Sequence, residues 1–432
     1  MDSATKQPLL WRGLGRLLAL LLLYPFTFLP LFAASVETDR PWYLAGEAME
    51  VTVTAANDLI AYAELCDTHG LTAGIVVGLR GGQGTGIIEL PSHLHSGYYV
   101  LSVYTRDDSH VSHQLVAIVN PLHKSIDDDI KWVTGDSCWV TGNGTADLVS
   151  QKDVDERETE GHIIKARVSN VCDGKTYEGS QIHPSLSIIG KQIHYFEGKM
   201  VGDSIAVFYT YGIHGKLPLV LSAVTSTGES LPIEMISPFA TLLPKRLPHL
   251  EFHYKRSEVE SRSLDMQRHQ RAITPAKREI KLGDNADDTA EEGKPLPYDE
   301  TIHGIHPYLS YNLDEYRQFL TIREVLLEYV QCVSKRKING RQQLMVQTEL
   351  DQYNKTLPSL VLIDGMPVLD TKQLLNYDAR RVHYINIYGD QFTFGRGVYS
   401  GLLSFITRSG RLTNYPTEPN VQYLVYSFPK YK

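Results

Sequence analysis

The sequence predicts a multidomain, mostly-β chain in which two antiparallel β-sandwiches of immunoglobulin-like size precede a small α/β domain. Short runs that alternate apolar and polar residues fill residues 36–121 and 161–224, as in Met49-Glu50-Val51-Thr52-Val53-Thr54. A period of two marks strands with one buried face. Gly- and Pro-containing turns separate the runs at short spacing, which is the rhythm of a sandwich. From about residue 320 the pattern changes to a helix-start signal and then an unbroken apolar run, Leu360-Val361-Leu362-Ile363. Such a run suits a strand covered on both faces.

The chain has 432 residues, 42% of them hydrophobic and 21% charged, so it can bury several cores. A formal net charge of −8 argues against a nucleic-acid partner, because neutralising phosphates takes clustered Lys and Arg. Nor is the chain acidic enough to be a disordered, solvating protein.

At the N-terminus Arg12 and Arg16 precede an apolar core at residues 17–23, and Phe32-Ala33-Ala34-Ser35 offers small residues suited to cleavage. Residues 1–35 therefore read as a signal peptide and the protein as exported. A retained anchor is the alternative, since residues 17–34 nearly suffice to span a bilayer, although Pro25 and Pro30 interrupt them. No Cys follows the apolar run to support lipoprotein anchoring. An oxidising compartment would permit disulfides. The cysteines are Cys66, Cys138, Cys172 and Cys332, without the spacing of a zinc site. Cys138 and Cys172 leave two readings open, a bridge within one domain or separate buried thiols.

Residues 36–120 form the first predicted sandwich. The glycine-rich stretch at residues 80–86 lacks the Lys-Ser/Thr of a phosphate-binding loop and precedes strand-like Ile87-Ile88, so it reads as a hairpin loop. His93 and His95 have a spacing compatible with a metal, but no third ligand can be located and a surface pair is the better reading. The segments TDRPWYLAGEAMEVTV and IIELPSHLHSGYYVLSVYTR resemble the MG2 domain of alpha-2-macroglobulins. That family's thioester pentapeptide, Gly-Cys-Gly-Glu-Gln, does not occur here, which argues against protease trapping.

Residues 121–245 are expected to form the second sandwich. Asp127-Asp128-Asp129 lacks the alternating acidic spacing of a calcium loop and reads as a solvated turn. Residues 246–300 are expected to be a charged linker, or an arm lying across another surface, with a basic half from Lys255 to Arg278 and an acidic half from Asp284 to Glu292.

In residues 301–432, Thr321-Ile322-Arg323-Glu324 matches a capping box opening a helix to about Val333. Strands follow at 343–347, 359–363, 382–388 and 402–407, with a short helix at 371–376. Asp364-Gly365 is a tight-turn pair in which Asp364 is expected to bond its own backbone, and Pro367 keeps the strand from continuing into a ladder. Arg380-Arg381 reads as exposed cationic ends of a strand rather than an anion clamp. The turn motif Asp364, Gly365, Pro367, with Gly395, Gly397, Gly401 and Thr407 to Gly410, resembles the second half of the plug domain of TonB-dependent receptors, over about residues 320–410. In such a receptor a transmembrane barrel would follow, yet residues 411–432 supply two strands at most.

These resemblances imply a barrel-less envelope protein of the kind found in Bacteroidetes-type bacteria, located in the periplasm or at the outer membrane. The expected function is non-enzymatic contact of the plug-like module with an envelope or outer-membrane protein. Any membrane association would run through that partner or through an uncleaved N-terminal segment. A macroglobulin-type inhibitor or a degenerate receptor for a small ligand is the alternative. No catalytic constellation, cofactor or metal is assigned from sequence.

Overall fold

The computed structural model describes residues 34–430, except 56–58, 134–138, 144, 160, 189–193, 227–228, 274–304, 331, 339–340, 348–356, 358, 369–370, 395–396 and 409–419. The first sandwich contains β1 (Ser35–Thr38), β2 (Trp42–Leu44), β3 (Ala48–Thr54), β4 (Ile60–Cys66), β5 (Leu71–Gly78), β6 (Gln83–Glu89), β7 (Gly97–Tyr104) and β8 (Ser112–Val119). One sheet runs β1-β3-β6, the other β2-β8-β7-β4-β5. Met49, Val51 and Val53 of β3 point inward against Leu65, Leu101 and Ile118, while Ala48, Glu50 and Thr54 face out. The two-residue period was thus a faithful guide to the buried face. The glycine-rich stretch is a hairpin turn running into β6. A Cβ at Gly84 would lie 2.3 Å from the Gly78 carbonyl oxygen, so the glycine is required by close approach of β5 and β6.

A short helix α1 (Ile126–Asp129), β9 (Ile130–Trp132) and β10 (Trp139–Asn143) follow. The second sandwich is built from β11 (His162–Val168), the small hairpin β12 (Val171–Cys172) and β13 (Lys175–Thr176), β14 (Ile182–Ile188), β15 (His194–Glu197), β16 (Lys199–Val201), β17 (Ile205–Thr210), β18 (Gly215–Thr225), β19 (Ser230–Leu231) and β20 (Ile233–Met235). Its sheets run β16-β17-β11-β20 and β15-β14-β18-β19. They enclose Ile164, Ala166, Leu186, Phe208, Leu219 and Leu221.

Two features depart from the boundaries expected from sequence. First, β21 (His249–His253) pairs with β9 and β10, so a third small sheet joins residues on either side of the second sandwich. Second, part of the expected charged linker is helix α2 (Arg256–Ile273), the arm rather than the free connector. Val259 is buried with Trp42, Leu250 and Phe252. Two arginines of α2 tie it to the first sandwich and α1: Arg256 Nη1 donates to Asp127 at 2.7 Å, and Arg262 grips Glu47 at 3.0 and 2.7 Å while its guanidinium lies 4.1 Å from the Trp42 ring centroid. A cation over an indole with a carboxylate partner docks a polar helix where apolar burial is small.

The α/β unit comprises β22 (Leu309–Asn312), α3 (Ile322–Glu328), β23 (Val333–Ile338), β24 (Arg341–Val346), β25 (Leu360–Ile363), β26 (Met366–Pro367), α4 (Thr371–Leu375), β27 (Val382–Phe394) and β28 (Gly397–Thr407). The Thr321 capping box forms as expected: Glu324 Oε2 accepts from the Thr321 amide at 3.0 Å. The helix stops five residues before Val333, which instead opens the β23–β24 hairpin. The sheet order is β22-β27-β28-β25-β26, with β25 parallel to β28. Val361 and Ile363 face the helices, with Val325 and Leu374, whereas Leu360 and Leu362 pack with Tyr388 and with Tyr195 of β15. Both faces of β25 are covered, the second by the neighbouring sandwich.

The chain then returns. Strand β29 (Gln422–Phe428) pairs antiparallel with β18, from Gly215↔Phe428 to Leu221↔Gln422, so it belongs to the second sandwich and not to the α/β unit. Tyr426 and Phe428 alternate into that sandwich core. Each buried aromatic is worth about 1.5–3 kcal/mol, together a large part of the ~5–15 kcal/mol that stabilises a domain. A chain ended after Asn420 is therefore expected to lose its cooperative thermal transition by circular dichroism. A melt matching that of the full chain would show that β29 is dispensable.

Candidate functional site

The turn motif read from sequence is a structural latch. Asp364 (φ 46°) and Gly365 (φ 87°) form the two-residue turn between β25 and β26, both in the left-handed region that hairpins of this type demand. Pro367 ends the short β26 ladder. The Asp364 carboxylate reaches across to β28. Its Oδ1 accepts from the Thr407 amide at 2.7 Å and its Oδ2 from the Thr407 hydroxyl at 2.5 Å. The cause is the parallel pairing of β25 with β28, which sets Ile363 beside Phe405 and brings the turn next to Thr407. Burial, and then the Asp364 charge, push the nearby Tyr377 phenol up to about 12. Gly401 adopts φ 87°, and a Cβ there would meet Val346 at 2.8 Å and the Tyr388 carbonyl oxygen at 3.0 Å. Gly397 opens β28, and Gly395 lies outside the described residues. Arg380 is held by Asp378 through Nε at 2.9 Å and Nη2 at 2.8 Å, which removes it as an anion clamp.

A buried polar network between the sandwiches escaped the sequence reading. Glu158, before β11, accepts from Tyr62 of β4 at 2.6 Å through Oε2; its Oε1 lies 2.9 Å from His162 Nδ1 and accepts from the Ile163 amide at 2.7 Å. An ionised carboxylate only accepts, so His162 Nδ1 is the donor. The other ring nitrogen of His162 lies 2.6 Å from the Tyr426 hydroxyl of β29. Arg106 donates to the Ile163 carbonyl at 2.9 Å, with Nε 3.7 Å from Glu158, and its guanidinium lies 5.3 Å from the Tyr62 ring centroid. Glu158 and His162 are 6% and 2% exposed. Tyr62 stacks on Tyr104, whose hydroxyl donates to Glu64, and Glu64 also accepts the amides of Thr241 and Leu242. Nothing in the stretch Asp153 to His162, dense in Asp and Glu, marks Glu158 for burial; only its distant partners do.

Burial raises the pKa of Glu158, but the His162 hydrogen bond, the Arg106 charge and the Ile163 amide outweigh it, and the carboxyl titrates below its usual 4.5. Burial, followed by the charge of Glu158, drives the Tyr62 phenol well above its usual range. A cleft of about 350 Å³ lies beside His162, lined by Leu59, Arg80, Tyr211, Ile213 and Pro429. With Tyr62 on one sandwich and Glu158, His162 and Tyr426 on the other side of the seam, the network forms a clasp between domains.

The α/β unit carries an aromatic and cationic surface patch. Tyr316 lies tilted against Tyr329 at 4.6 Å between ring centroids and Phe319 lies 5.4 Å from Tyr329, beside Arg317, Arg380 and Arg408. On the same segment Leu320 and Leu327 are 63% and 69% exposed. Clustered Tyr, Phe and Arg have the composition of a protein-contact hot spot.

Among the remaining candidates, His93 is exposed and His95 lies against His123. Asp127 and Asp128 are solvated, as expected, on the single helical turn of α1, where Asp127 pairs with Arg256. Cys66, Cys172 and Cys332 are free thiols, and Cys138 lies outside the described residues. Among the described residues no helix is long and apolar enough to cross a membrane; residues 1–33, with the expected signal peptide, lie outside them.

No family model and no curated protein matches the chain. Among solved structures, Escherichia coli alpha-2-macroglobulin activated by porcine elastase is similar at 11% identity, covering 47% of this chain and 20% of that one, with a TM-score of 0.19. The BSP domain of a biofilm-associated protein follows at 10% identity, 47% and 29% coverage and a TM-score of 0.17. DIP-gamma IG1+IG2 gives 10% identity, 51% and 99% coverage and a TM-score of 0.14. The chain thus spans less than a third of the first two structures' own lengths, and at these scores the similarities carry no assignment.

Because the folded pKa of Glu158 is depressed, its stabilisation is complete above about pH 4.5 and is lost as pH falls through the folded value. Glu158→Gln is expected to cost on the order of 3 kcal/mol at neutral pH. The gap between the two proteins, measured by denaturant unfolding from pH 7 to pH 3, should shrink below pH 4.5. A gap independent of pH would contradict the charged clasp.

Proposed function

We propose that the chain is an exported, non-enzymatic cell-envelope protein that presents its α/β module to an outer-membrane or other envelope protein. The observation that carries this is the surface of Tyr316, Phe319 and Tyr329 with its arginines and the exposed Leu320 and Leu327. Large aromatic side chains supply contact area at low entropic cost, and with Arg380 and Arg408 already bonded to Asp378 and Asp314 the aromatics carry the contact. Rigid presentation adds to this. The sheet of the module packs through Leu360 and Leu362 on Tyr195, and the chain beyond the module is anchored by β29. A surface held in place on its scaffold loses little freedom on binding, which favours affinity. Export rests on the apolar segment at residues 17–23 with its small-residue site at Ala33-Ala34-Ser35. The plug-like motif Asp364-Gly365-x-Pro367 is the reason for choosing an outer-membrane partner.

Photo-crosslinking in intact envelopes tests this directly. A crosslinker at position 327 is expected to capture one defined outer-membrane protein, and the same probe at Ile87, 56% exposed on the first sandwich, is expected to capture none. Tyr316→Ala should lower the yield from 327 at least about tenfold, as loss of a hot spot does. Equal capture from both positions, or none from 327, would sink the proposal.

A further inference from the structure

The first sandwich and the segment after it bring together three residues that sequence keeps apart: His95, between β6 and β7, His123, just after β8, and Asp129, at the end of α1. One ligand atom from each lies within 4.8 Å of the others. We infer that His95, His123 and Asp129 form a divalent transition-metal site, with Zn²⁺ the cation its donors fit.

Three features support the site. The spacing is right: ligand atoms about 2.0–2.1 Å from a tetrahedral zinc stand roughly 3.3 Å apart, and His95 Nδ1 is 3.6 Å from Asp129 Oδ2. The donor chemistry is right as well. Two imidazoles and one carboxylate suit zinc and its neighbours, whereas Ca²⁺ and Mg²⁺ take oxygen ligands.

Hydrogen-bond accounting supplies the third feature. Ser125 Oγ lies 2.8 Å from His123 Nδ1 and 3.3 Å from His95 Nδ1, and it donates to Asp129. The Ser125 amide also points at His123 Nδ1, at 3.3 Å. A hydroxyl has a single proton. With that proton on Asp129, His123 Nδ1 must donate to the hydroxyl and yet accept from the amide. Ser125 Oγ thus marks the point where the three side chains converge, and a cation bonded to the imidazole lone pairs and the carboxylate would take the place of its contacts.

The frame that holds the ligands is preformed. Asn120, buried, donates to the Leu94 carbonyl at 2.7 Å and the Ser92 carbonyl at 3.2 Å, and its own amide donates to the buried Ser96 hydroxyl at 2.8 Å. The Tyr99 hydroxyl donates to the His95 carbonyl at 3.0 Å, and the His123 amide to the Asn120 carbonyl at 3.2 Å. Both loops are thus fixed to one asparagine before any metal arrives, as supporting shells do in metal sites. Bound metal would staple the inter-domain segment to the first sandwich. With three protein ligands, a fourth position remains on the exposed His95 side for water or an outside donor.

The test is a Zn²⁺ titration of the untagged full chain by calorimetry, with Co²⁺ substitution read by visible absorption. One Zn²⁺ per chain is expected, together with the visible bands of four-coordinate Co²⁺. His95→Ala and His123→Ala should each weaken binding at least tenfold and abolish those bands. His69→Ala, at an exposed histidine elsewhere, should change neither. Asp129→Asn provides a second probe if a histidine variant fails to fold by circular dichroism, and it too should weaken binding. No stoichiometric binding, or binding that survives loss of both histidines, would overturn the site.

Discussion

The arrangement of the molecule depends on a chain of four buried side chains, Tyr62, Glu158, His162 and Tyr426. Each belongs to a different stretch: β4 of the first sandwich, the segment between the sandwiches, the first residue of β11, and the returning strand β29. Burying a carboxylate costs several kcal/mol unless its lone pairs are filled. Here a phenol, an imidazole and a backbone amide fill them, with Arg106 alongside. The groups are satisfied only when all four stretches are in place, so the network fixes how the sandwiches meet and where the C-terminal strand ends. Apolar contact alone would tolerate small slips that these hydrogen bonds do not.

What the sequence revealed and what it hid divide along the range of the interactions. The face of β3, the capping box at Thr321 and the doubly covered β25 were legible because each is set by residues a few positions apart. The Asp364 turn was legible as a turn, but its carboxylate partner, Thr407, lies 43 positions on and follows from parallel pairing that no local pattern encodes. Helix α2 reads as charged linker because its docking rests on Arg262 with Glu47 and Trp42, ion-pair and cation–π contacts that a hydropathy pattern cannot show. His95 looked like a surface histidine for the same reason: its companions His123 and Asp129 arrive from the far side of β7 and β8.

The proposed contact surface and the inferred metal site lie in different modules, and the clasp stands between them. The α/β module is supported by Tyr195 below its sheet and by β29 behind it. The histidine cluster lies instead where the first sandwich hands over to the segment carrying β9 and the sheet it shares with β21.

The coupling across that clasp is the quantity to measure, by a double-mutant cycle on Tyr62→Phe and Tyr426→Phe with denaturant unfolding. The two hydroxyls are linked through His162, which Tyr62 reaches by way of Glu158 and also directly, at 3.4 Å from Nδ1. If the four residues act as a unit, the two losses are non-additive by about 0.5–3 kcal/mol, the range for members of one network. Additive losses would mean that the modules are joined without the buried chain of hydrogen bonds.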